Sequence, residues 1–185
     1  SEKKYKIGFS LQSNLPVEIS NEAKKAVLYN AKICESLGHD VEEFKLDYDG
    51  LLLARSYVII IACHTSAMFS ELEEMKGRKF KNHEIENSSL ILDYLGKKFT
   101  GHDFAVSHQI VQTIARNIML QMDGFDSVIM PIISQKPPLL GKIIPSRAAE
   151  IRNSIIINLN LGWIFQIETL RNKILNRLIP QSLWY

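Results

Sequence analysis

Cys63-His64 is the pair in this chain whose types come closest to a nucleophile and its base. Thiol attack needs an imidazole that reaches the sulfur, and consecutive side chains on one helix point more than a quarter-turn apart. Cys63 therefore reads first as a small core residue and only second as a pocket residue. The other histidines, His39, His83, His102 and His108, stand in four separate segments with no His-x-x-x-His spacing, so no metal is expected. Ser88-Ser89 has no lysine placed beside it, and Ser88 reads as a helix cap. Glu71, Glu73 and Glu74 read as a solvated helix end rather than an acid–base pair. No Gly-x-Gly-x-x-Gly or Walker-type loop is present, which leaves no expected cofactor. No residue is assigned a catalytic role.

The second place to look is Asp126-Ser-Val-Ile-Met-Pro-Ile-Ile133. A polar turn gives way to a buried strand over Ser127 to Ile133, and the Pro137-Pro138 pair then leads the chain out of the sheet. Pro131 has no N–H for a ladder, so it belongs near the strand's end or on an edge. Cys63 and Pro131 are the two pocket candidates.

The elements that would position them follow from periodicity. Lys6 to Leu11 and His39 to Leu46 alternate apolar and polar residues, as strands do. Between them Ala23, Val27, Ala31, Cys34 and Leu37 fall at helical spacing, with Ser20 or Asn21 as N-cap and Gly38 as the left-handed exit. A strand–helix–strand unit implies parallel neighbours. A buried helix is expected from about Gly50 to Met75, capped by Asp47 or Asp49, although Val58-Ile-Ile-Ile61 favours strand by propensity. Residues 77–87 read as a surface connection, and Ser88 to Leu95 as a short helix stopped by Gly96. Thr100 with Asp103 resembles a capping box. It opens a helix whose apolar face is Phe104, Val111, Ile114, Ile118 and Met122, ending at Gly124.

Hydrophobic residues make up 46% and charged residues 23% of the 185, a globular composition with room for one core and an appendage. The net charge of +2 argues for no polyanionic partner, and basic residues without interleaved aromatics argue against nucleic acid. From Lys142 on there are six Lys or Arg against two Asp or Glu, leaving 16 basic and 18 acidic residues before it. The chain is accordingly divided into 1–141 and a divergent tail, 142–185, in which Gln166 to Leu178 has the pattern of an amphipathic helix. Two cysteines and no opening signal segment point to a reducing, cytoplasmic setting. The longest apolar run, Tyr57 to Cys63, falls far short of the ~20 residues a bilayer requires, so no membrane span is expected.

Taken in order, these segments resemble the C-terminal portion of an amidase signature enzyme. Tyr5-Lys-Ile-Gly-Phe-Ser10, then Pro16-Val17, then Leu37-Gly-His-Asp-Val-Glu-Glu43 look like the family's strand, its "PV" loop and its "LGHxVEE" turn. Asp103 through Phe125 is similar to the long helix before its buried strand, and Asp126 through Gly141 resembles "DvLLtPTlaqPPpplG". Within the family the 6-aminohexanoate cyclic dimer hydrolase branch is the most similar. The resemblance implies amide hydrolysis by a lysine and two serines that no position here matches; they would belong to a preceding catalytic half, the implied partner. Met130-Pro131-Ile132 departs from Thr-Pro-Thr, and after Gly141 neither "N..G.PA.S.P" nor "GLP.G.Q" is found. The expected architecture is α/β: a mixed sheet with an N-terminal strand–helix–strand unit, flanked by helices. The chain alone is expected to be inactive, with a homodimer possible. The rival reading is a stand-alone α/β ligand-binding or interaction module.

Overall fold

A computed structural model describes residues 3–15 and 17–134. The 142–185 tail with its expected helix, the division at 141 and the Pro137-Pro138 exit lie outside the described residues. The described elements run β1 (Lys6–Phe9), α1 (Asn21–Ser36), β2 (Asp40–Glu43), α2 (Gly50–Lys76), a 3-10 turn (Asn82–Glu84), α3 (Asn87–Gly96), α4 (Gly101–Met122) and β3 (Ser127–Ile129). They form two compact units, residues 3–53 with 112–134, and residues 54–111.

The first unit is the α/β part expected from the alternating segments. Its three strands form one sheet in the order β2-β1-β3. Both pairings are parallel, with Ile7 opposite Val41 on one side and Ser127 on the other. Asp126 fixes the register of β1 against β3: its carboxylate accepts from Lys6 N (2.8 Å) and its own N–H donates to Lys6 O (2.8 Å). Helix α1 lies against all three strands and buries Val27 and Ala31. The Ser20 hydroxyl caps its start by accepting from Ala23 N (3.3 Å). Gly38, at φ +88°, makes the left-handed exit that an L side chain adopts only at a cost of ~1–2 kcal/mol.

Two side-chain amides tie the connections of this unit together. Gln121 accepts from Asp47 N and donates to Asp47 O, and Asn14 donates to Leu46 O and Tyr48 O. On the sheet face carrying Gly8, the rings of Phe44 and Phe125 pack at 4.8 Å between centroids. A Cβ at position 8 would press on both rings. The third strand is shorter than expected. Ladder pairing stops at Ile129 rather than Ile133, since Pro131 offers no donor.

The second unit is helical. Along α2, which Asp49 caps through Leu52 N (2.9 Å), residues Val58, Ala62, Ser66 and Phe69 follow helical spacing and are buried. Ala62 packs with Ile91 and Leu95 of α3, and Phe69 with Leu90. Gly96 makes the close approach possible, because a Cβ there would meet the Ala62 carbonyl and Ser66. That corrects its expected role: Gly96 lies within α3 and serves packing, while Lys97 is the C-cap. Ser88 is likewise inside α3, whose N-cap is Glu86.

The connection 77–87 is more ordered than its polarity implied. Glu84 binds Arg78 (2.7 Å), Lys76 (3.1 Å) and Lys81 N (2.9 Å), closing the 3-10 turn. The Arg78 hydrogen bond, first of several causes, holds its carboxyl well below the usual range. Helix α4 opens on the expected box: Asp103 accepts from Thr100 N and Oγ1, and Thr100 Oγ1 accepts from Asp103 N. As a whole, α2 is long and apolar enough to cross a membrane by length and composition, which the seven-residue run Tyr57 to Cys63 did not reveal.

Candidate functional site

Parallel strands that emerge on opposite sides of a central strand leave a crevice beyond their carboxyl ends, where open α/β sheets tend to hold ligands. The order β2-β1-β3 puts that switch between β1 and β3. At this end Ser10 follows β1 with only 2% of its surface exposed. Its N–H donates to Ile129 O (3.1 Å), and its hydroxyl accepts from Gln12 N at 3.5 Å. Pro131 is half-buried two residues beyond β3. The segment is drawn back to the start of α1 by Ser20 N donating to Ser134 O (2.7 Å). Pro131 thus sits in the exit of β3, at the sheet end where such folds tend to hold ligands, and among the described residues no histidine, lysine or carboxylate hydrogen-bonds the Ser10 hydroxyl there. Ser10 was missed by sequence reasoning; its signal was its position immediately after the first strand.

Cys63 belongs to the second unit and Pro131 to the first. The Cys63 thiol is half-buried, and burial first, then the negative charge of Asp103, push its pKa up. It is a protonated thiol at neutral pH and a poor nucleophile. His64 does not activate it: the imidazole packs edge-on against Phe104 (5.5 Å between centroids), and Phe104 in turn meets His108 (5.7 Å). Asp103 is engaged in its helix cap. His39 packs edge-on against Tyr5. Among the described residues no three His, Cys, Asp or Glu side chains gather as a metal site.

Among the described residues Asp93 is the one buried charged side chain. Its Oδ2 accepts from Lys97 (2.6 Å), and its buried Oδ1 has no hydrogen-bond partner. Its helix neighbours Leu90, Ile91 and Leu95 are core residues.

No known family profile matches the chain. A Synechocystis sp. protein named "Putative amidase" is 25% identical over 128 residues, which cover 69% of this chain and 22% of that protein. Two solved structures of 6-aminohexanoate cyclic dimer hydrolase, one with substrate and one without, align with TM-score 0.70 at 17% identity. They match 84% of this chain and 34% of the solved one. The chain spans about a third of the solved hydrolase and under a quarter of the amidase. The chain is thus partly similar to an amidase, and its α/β fold is that of part of 6-aminohexanoate cyclic dimer hydrolase.

Proposed function

We propose that this chain is the C-terminal portion of an amide-bond hydrolase, supplying scaffold and pocket wall to a catalytic portion that carries the lysine and two serines. The observation that carries the reading is the asymmetric coverage: 84% of this chain fits a fold of which it makes only 34%. The chemistry agrees. A neutral amide requires an activated nucleophile and donors for the oxyanion. The one thiol beside an imidazole is shifted toward its protonated form, and among the described residues no base hydrogen-bonds the Ser10 hydroxyl. In the complete enzyme the β1/β3 end with Ser10 and Pro131 would face the acyl side of the substrate. The substrate class is a linear or cyclic amide, the setting cytoplasmic, and neither nucleic acid nor a membrane is involved.

The test is hydrolysis of a chromogenic anilide and of a cyclic amide by the purified chain. Rates equal to the buffer background are expected. Turnover that persists through purification and disappears in Cys63→Ser or Ser10→Ala would overturn the proposal.

A further inference from the structure

Helix α2 is apolar on two sides and buried on one. About a third of a turn round the helix from the buried face of Val58, Ala62, Ser66 and Phe69 runs a second stripe, Tyr57, Ile61, Met68, Leu72 and Met75, spaced by threes, fours and sevens so that it stays on one side of the helix. Tyr57 is 55%, Met68 49% and Met75 78% exposed, and Ile61 is half-buried. A helix hydrophobic all round is normally enclosed by a larger core. We propose that this stripe is the docking face for the rest of an amidase fold, a polypeptide carrying the part of the hydrolase that this chain does not span. The inference rests on the reading above.

The occupant follows from size. The stripe extends over 19 residues, Tyr57 to Met75, roughly 27 Å long and about 10 Å wide. Against a second copy it would bury well under the ~800 Å² per partner of a stable dimer. A fold of which this chain makes only 34% leaves about twice its own length to cover α2 as one surface among several. A bilayer suits the face less well. The inner side of α2 is already packed on α3, and Glu71, Glu73, Glu74 and Lys76 crowd its last turns.

The test co-expresses the full chain with tagged 6-aminohexanoate cyclic dimer hydrolase from which the part matching this chain has been removed. The tagged remainder is expected to retain the wild-type chain. Met68→Glu with Met75→Glu should reduce retention at least tenfold, and Lys25→Glu on α1 should not. A circular-dichroism melt shows that the variants remain folded, and Tyr57→Ser serves as the second variant should the double glutamate unfold. Equal retention of wild type and stripe variants overturns the docking face while leaving the proposed function standing. No retention of any form overturns both. Two outcomes reassign the stripe and overturn this occupant. One is a wild-type dimer that becomes monomeric in the stripe variants. The other is stripe-dependent sedimentation with phosphatidylcholine vesicles.

Discussion

Gly96 and Gly38 look alike in a sequence and do opposite jobs. Gly38 has open space where a Cβ would go but a left-handed backbone, so Gly38→Ala should cost about 1–2 kcal/mol through strain alone. Gly96 has an ordinary backbone and no room, and Gly96→Ala should cost about 1–3 kcal/mol by pushing α3 off Ala62 and Ser66. Thermal melts of both variants decide this; an unchanged melt in Gly96→Ala would show that α2 and α3 are not in close contact. Reading Gly96 as a helix stop was reasonable from one chain, because a stop and a packing contact leave the same letter. Cys63 was legible as a core-type residue, but its neighbour Asp103 was not, since forty positions separate them. In a Cys34→Ser background, Cys63 should react with iodoacetamide more slowly at pH 8 than a free thiol does, gaining rate as pH rises above the usual thiol range. Asp103→Asn should bring that profile part of the way down, leaving the burial contribution. A profile matching free cysteine would contradict the assignment.

Elements built from local signals were legible, and those built from distant partners were not. The Thr100–Asp103 box was readable because its three hydrogen bonds lie within four residues. Thr100→Ala should lower stability by about 1 kcal/mol, measured as a shift in the urea midpoint with unchanged slope. The apolar face of α4 was readable for the same reason, and Ile114 is its buried centre. By contrast, the 3-10 turn at Asn82–Glu84 depends on Lys76 and Arg78 reaching back from the end of α2, which no propensity reports. Glu84 is a carboxylate with a depressed pKa, so its contribution is present above the ordinary glutamate value of 4.5 and is lost as pH falls below it toward the folded value. Amide shifts of residues 81–84 should therefore stay flat through the ordinary glutamate range and move only well below pH 4.5. Trypsin should cut after Arg78 and Lys79 faster in Glu84→Gln than in wild type at pH 8. Equal cleavage would mean that the clamp does not order this connection.

At the scale of the molecule, periodicity gave the strand–helix–strand opening, but only the family resemblance implied where the later strand belongs. Period-2 patterns carry no information about which strand pairs with which. The placement of β3 beside β1 relies on Asp126, which meets Lys6 across 120 residues of chain. Asp126→Ala should cost about 1 kcal/mol by freeing the Lys6 N–H. That long reach also has a consequence for the protein as it is made. The edge of β1 that β2 occupies is filled within the first 43 residues, but the other edge stays open until Ser127 has emerged. At ~5–20 residues per second of synthesis, 120 residues correspond to roughly 6–24 s during which a buried-type strand offers a free ladder to its surroundings. Chains released early, before residue 127, would leave the ribosome with that edge exposed for good. A product stopped at Gly124 should pellet when it is translated in a cell-free system, and one stopped after Ser134 should stay in solution.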